Sequence, residues 1–239
     1  MALVEDTANV LGFGFNAASD TRSFTCISGS DRVLYVVTLN RNVGAGTVTG
    51  VTYAGVALTQ LASTLNFDTG QGDGKLWRLI APATGANNLV VTLSSDRPTA
   101  VSAVSFSGAD QTTPEGTLAS YTTAGGGTNP TLTSAVAVAS GNIHLSFGMV
   151  LDGTNSVAPQ FTGTGTSQTE RTDVNSAAQH LTQSDQAGTG ATITASWTYA
   201  GAANDSRGAF SIPVLAAAGG ASFRGRGLRP RPFAPGLGR

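Results

Sequence analysis

The sequence predicts an all-β protein: an antiparallel two-sheet sandwich, jelly-roll-like, that carries an extended arm. Three observations predict it. Apolar residues recur with period two through most of the chain, and no window of ten residues keeps a helical period. Gly, at 31 positions, and Thr, at 32, together with Val and Ser, weaken helices, and the charged helix formers are scarce, with only three Glu and one Lys. Turn signals part the apolar runs at spacings that suit roughly ten to twelve sandwich strands. A chain of 239 residues can bury one sizeable core. Its 11% charged and 40% hydrophobic content exclude wholesale disorder. No stretch approaches the ~18–20 apolar residues of a membrane span.

The elements follow in order. Asp31–Leu39 (DRVLYVVTL) reads as a strand apolar on both faces, and Val43-Gly44-Ala45-Gly46 turns it into Thr47–Tyr53, where Val48 and Val51 interrupt Thr and Gly. Leu76–Ile80 is a short strand, and a Pro82…Gly85 loop leads to Leu89–Leu93. Asp96-Arg97-Pro98 reads as a hairpin turn into Thr99–Phe106. Leu132–Ala139, a Ser140-Gly141-Asn142 turn and Ile143–Val150 come next, with Ile143, Leu145, Phe147 and Met149 on one face. In Ala191–Tyr199 the side of Ile193, Ala195, Trp197 and Tyr199 opposes Thr192, Thr194, Ser196 and Thr198, the mark of a sheet solvated outside. Arg207–Val214 closes the set. Two regions, Thr112–Pro130 and Asp152–Gln186, read as long loops suited to binding or to subunit contacts. Residues 1–216 are thus one sandwich domain and 217–239 a Gly/Pro/Arg-rich arm.

The side chains that carry chemistry are sparse. Cys26 is alone, which excludes an internal disulfide, and it reads as a small hydrophobe in a strand. The opening Met1-Ala2-Leu3-Val4-Glu5-Asp6 has neither a cationic segment nor an apolar run, so a chain made and left in the cytoplasm is expected. Nucleophilic catalysis needs a base beside the nucleophile, and the only histidines are His144 and His180. His144 alternates against Ile143 and Leu145, so it should face solvent or an interface. His180 has Asp173 and Asp185 nearby in sequence, a candidate pH-sensitive contact. Two His and one Cys do not make the three or four ligands of a zinc site, so no metal, cofactor or catalytic residue is assigned. Asp68-Thr69-Gly70-Gln71-Gly72-Asp73-Gly74-Lys75 lacks the phosphate-loop spacing and reads as an exposed Gly-rich hairpin loop, with a weak Ca²⁺ site as the alternative. Paired carboxylates for glycoside hydrolysis would need two acids brought together across the fold. Trp77 and Trp197 sit among apolar neighbours, as core residues rather than sugar platforms.

Composition changes abruptly past Val214. Residues 1–221 hold eight basic and fourteen acidic residues, a net −6, whereas SFRGRGLRPRPFAPGLGR (222–239) carries +5 and no acid. Prolines and glycines there can build neither a core nor a helix. Phe223, Leu228, Phe233 and Leu237 are spaced as anchors along an extended strip, with Arg224, Arg226, Arg229, Arg231 and Arg239 placed to reach carboxylates or carbonyls of the same or a neighbouring subunit. Arg224-Gly225-Arg226-Gly227 is similar to segments that coat single-stranded nucleic acid; five charges without a folded basic face make that a weak, salt-sensitive partner.

Three stretches, taken together, carry a resemblance. They are Val51-Thr52-Tyr53-Ala54-Gly55-Val56-Ala57-Leu58-Thr59; Lys75-Leu76-Trp77-Arg78-Leu79-Ile80-Ala81-Pro82 followed by VVTLSS and AVSFSGADQTTP; and ITASWTYA followed by RGAFSIPV. Their order resembles a β-sandwich domain that recurs in tailed-phage virion proteins and bacterial surface proteins. The resemblance implies no catalytic residues, and the arm lies outside it. It implies a non-enzymatic virion structural protein of a tailed phage, assembled in the host cytoplasm. A capsid decoration or cement protein fits best, self-associating, bound to other virion proteins, and anchored by its arm. The alternative is a carbohydrate-binding receptor module or adaptor on a tail or fibre, with the loops 112–130 and 152–186 as its site and a surface glycan as partner.

Overall fold

A computed structural model describes residues 2–26, 28–41, 46–67, 72–123, 131–151, 160–164, 167–176, 179–200 and 206–218. The protein is all-β, an antiparallel sandwich in which the described residues form fifteen strands and no helix. In chain order they are β1 (Val4–Cys26), β2 (Val33–Arg41), β3 (Val48–Tyr53), β4 (Val56–Ala57), β5 (Thr59–Phe67), β6 (Gly72–Ile80), β7 (Gly85–Ser107) and β8 (Ala119–Thr123). Then come β9 (Thr131–Val138), β10 (Ile143–Leu151), β11 (Gln160–Thr164), β12 (Thr169–Ser176), β13 (Gln179–Ala187), β14 (Ala191–Ala200) and β15 (Ser206–Val214).

They build three sheets where the sequence suggested two. The first runs β4-β3-β7-β2-β6-β5, with β1 paired along β7; the second runs β12-β13-β10-β15-β8; the third runs β11-β14-β9. The first two form the sandwich core. Val33, Tyr35, Val37 and Leu39 of β2 meet Leu145, Phe147 and Met149 of β10 and Phe210 and Ile212 of β15. The expected shared face of β10 is this one. Leu34 and Val36, on the other face of β2, pack with Val48, Val51, Tyr53, Trp77, Leu89 and Val91, because the first sheet curls back on itself. That curl is why DRVLYVVTL is apolar on both sides. Cys26 and Trp77 lie in this second cluster, as core residues. Ala54 and Gly55, with φ of 50° and 79°, make the tight turn from β3 to β4, a conformation that suits hairpin twist.

Several expectations are corrected. Asp96-Arg97-Pro98 is not a hairpin turn: β7 continues through it and pairs with β1 on both sides, from Gly85 to Thr92 and from Arg97 to Ser107. Its other neighbour changes there, from β3, which ends opposite Leu93, to β2, which begins opposite Thr99. Pro98 therefore has no ladder to interrupt on that side, and on the other it faces the irregular pairing between Gly14 and Ala17 of β1. The region 152–186 is not a long loop either, since its described residues are mostly β11, β12 and β13. Strand β13 is the least legible, because the side chains it buries, Leu181 apart, are polar, among them Gln179, His180, Thr182, Gln183 and Ser184. They fit because bonds meet them across the layers. Gln179 Nε2 donates to the carbonyls of Leu39 and Pro98 at 3.3 and 3.2 Å, and Ser102 Oγ donates to Gln183 Oε1 at 2.9 Å. Within 112–130, β8 is a strand, and 124–130 lie outside the described residues.

The Gly-rich loop 68–75 is part strand, with 68–71 outside the described residues. Asp73 and Lys75 are buried, not exposed; the ammonium lies 3.1 Å from the Asp73 carboxylate and 2.7 Å from the Val48 carbonyl, and Thr47 donates to Asp73. Of the two carboxylates in this loop, Asp73 already has a cation, and Asp68 lies outside the described residues. His144 is fully buried, not solvent-facing. The arm residues Phe223, Arg224, Arg226, Leu228, Arg229, Arg231, Phe233, Leu237 and Arg239 lie outside the described residues.

Candidate functional site

Two features of the body stand out, and they adjoin. The first is the root of the arm. Beyond β15 the chain is laced to the segment that follows β7: Gly116 N–H donates to the Pro213 carbonyl at 2.9 Å, Leu215 N–H to Pro114 at 2.8 Å, Asp110 N–H to Leu215 at 2.9 Å, and Ala217 N–H to Gly108 at 2.8 Å. Ala216 N–H is taken by Asn142 Oδ1 at 3.0 Å. The lacing segment is itself pinned. Arg78 donates to the Glu115 carboxylate, and Tyr35 reaches that carboxylate and the Pro114 carbonyl, each at 3.3 Å. Burial, with the charge of Glu115, holds the Tyr35 phenol well above its ordinary range, so it stays a neutral donor. Asp110 makes a local turn by accepting from the N–H groups of Thr113 and Thr112, which keep its carboxyl below the usual range. Gly108, with φ 73°, lets β7 end here; a Cβ would collide with the Ala2 carbonyl.

The second feature is a cleft of about 560 Å³ beside that root, between the start of β1 and the strands β12 and β13. Leu3, Val4, Ile143 and Ala187 give it apolar walls, and Glu5, Arg171 and Asp185 give it charge. Pairing irregularities at both strands aim these groups: one falls between Glu5 and Thr7 of β1, the other between Glu170 and Thr172 of β12, leaving Arg171 as the extra residue. The Arg171 guanidinium grips Asp185 with two bonds, Nε to Oδ2 at 2.8 Å and a terminal nitrogen to Oδ1 at 3.1 Å. Glu5 Oε2 lies 2.9 Å from the same Nε, yet it is buried without a hydrogen bond, because that N–H is directed at Asp185. Burial first, and then the shared bond and charge of Asp185, push the Glu5 carboxyl up to about 8, against the opposing pull of Arg171. At neutral pH one proton therefore stays on the pair. The bonds from Asp185 raise the Arg171 guanidinium further above its usual range.

The sequence marks none of these three residues as a shared site; Asp185 enters only as a neighbour of His180. Arg171 and Asp185 fall in a region read as loop, and Glu5 is distant along the chain. No spacing rule joins them; only the packing of β1 against β12 does. His180 was singled out, and its Nε2 meets the Asp173 carboxylate across β12 and β13, as one of the two expected contacts. The tryptophans are core residues: Trp77 donates to Thr38 Oγ1 at 3.1 Å, and Trp197 is fully buried between the second and third sheets. Comparison with protein-family models, curated proteins and solved structures finds no match.

Proposed function

We propose that this chain is a non-enzymatic structural protein of a tailed-phage particle, a β-sandwich that decorates or cements the capsid and is anchored through residues 222–239. The observation that carries the reading is the root. A chain end that merely trailed from the body would need no lacing. Here the last described residues are joined by four backbone hydrogen bonds to a segment that a partly buried ion pair pins in turn, and by a fifth to the Asn142 side chain. A fixed exit of this kind delivers five arginines, with no acid among them, to one place on a body of net −6. Arginine forks suit desolvated interfaces, and the apolar residues between them supply anchors. The resemblance of the strand and turn stretches to a virion domain supports the same reading, on the residues quoted above.

Particles assembled with the full chain, or with a chain stopped after Ala218, test it by quantitative mass spectrometry of purified virions. The shortened chain should keep its β-sheet circular dichroism and be missing from the particles. Normal occupancy by the shortened chain would overturn the anchor.

A further inference from the structure

Resting on the reading that residues 222–239 dock on a protein surface, we propose that the cleft of Glu5, Arg171 and Asp185 seats the first arginines of the arm, Arg224 and Arg226, from the same chain. The arm is then parked against its own body until a partner surface takes it. Three observations point there.

Place comes first. Ala217 donates to Gly108, which abuts Ala2 and Leu3, and Leu3 lines the cleft. Ala216 donates to Asn142, whose neighbour Ile143 lines the cleft as well. The root thus meets neighbours of the cleft at two points. From Ala218 to Arg224 is six residues, a reach of at most ~20 Å when extended, so the first arginine needs no long path.

Chemistry comes second. Two carboxyl groups share a single guanidinium and one proton, and no N–H is directed at the buried Glu5 Oε2. A second guanidinium supplies such an N–H and the positive charge that lets the shared proton leave to solvent, in the forked geometry that carboxylates accept best. Lysine would serve less well, and the arm has none. Shape comes third: the cleft has room for a side chain, and its apolar walls suit the methylene stem that an arginine buries beneath its charged head.

The test uses the full chain throughout, with the Glu5 carboxyl followed by carbon-13 NMR across pH in three proteins: the unaltered chain, R224A/R226A and R229A/R231A. A guanidinium seated beside Glu5 should make it ionise lower in the unaltered chain than in R224A/R226A by about one pH unit or more. R229A/R231A should titrate like the unaltered chain, and dilution should change nothing. Equal midpoints in the unaltered chain and R224A/R226A would overturn the seat. A difference that fades on dilution would overturn it as well, and give the cleft to the arm of a second copy. Equal midpoints together with exclusion of the shortened chain from particles would remove the seat and leave the anchor standing. Normal occupancy by the shortened chain removes the anchor instead.

Discussion

His144 is buried on the face that the second sheet turns toward the third, and neither of its ring nitrogens has a hydrogen bond. Its cross-strand neighbours are Gln186 and Pro213, and the next row holds Ser184, Ser146 and Ser211. Burial pushes the imidazole down to about 4, against a weaker opposing pull from Asp185, so the folded state holds it neutral. Once unfolded, the ring takes up its proton near pH 6.5. Acid therefore favours the unfolded chain, and this group costs stability as pH falls from 6.5 through about 4. The substitution His144→Leu replaces two unpaired polar atoms with a side chain of similar bulk. It should raise stability at pH 7 by about 1–2 kcal/mol, and its margin over the unaltered chain should widen toward pH 4.5. Urea titrations at the two pH values check both statements; a variant less stable at pH 7 would contradict them.

Among the elements, the segment from Gly108 to Gly116 has few apolar residues and depends on its polar ties. Glu115 holds two of them, to Arg78 and to Tyr35. The substitution Glu115→Ala leaves a mostly buried guanidinium without its partner, and should cost roughly 2–3 kcal/mol, below the range for fully buried pairs. Backbone amides of Leu215 and Ala217 should then exchange with solvent faster than in the unaltered chain, which amide-exchange NMR can follow. Elements of this polar kind are also those hardest to read in a sequence. Strand β2 is legible because both its faces are apolar, and β10 and β14 because one face is. Strand β13 hides behind Gln, His, Thr and Ser, whose partners Leu39, Pro98 and Ser102 lie about eighty or more positions away. Strand β1 hides behind GFGFNAASD, where small residues break the alternation. Pro98 reads as a turn because a proline inside a strand is tolerated only where pairing lapses, and that lapse belongs to the tertiary arrangement. The charged cleft was illegible for the same reason. Its three members share no local pattern, and a bulge, not a motif, aims Arg171.

Taken whole, the molecule is held unevenly. Among the described side chains, seventeen buried hydrophobic residues join the first and second sheets, whereas clusters of four and three lie at the third. The face of the second sheet beneath the third also buries His144 and Ser211, and the third sheet contributes Ser134 and the Trp197 indole N–H; all have side-chain polar atoms without partners. Few apolar contacts and unsatisfied polar groups mark a unit that opens before the rest. Hydrogen exchange by mass spectrometry should find β9 and β14 exchanging well ahead of β2, β7 and β10. Equal protection across all five would refute that order.

The long ribbon of β1 and β7 has a consequence for how the chain is born. Val4 pairs with Ser107 and Cys26 with Gly85, and among the described residues β1 has no other ladder. At ~5–20 residues per second, the ribosome delivers β7 several seconds after β1 has emerged. Through that wait the nascent strand stays solitary, with its backbone groups open to any other chain. Its glycines, alanines and asparagines make it a poor template for such adhesion. The small residues that conceal the strand from a reader thus also shield it during synthesis.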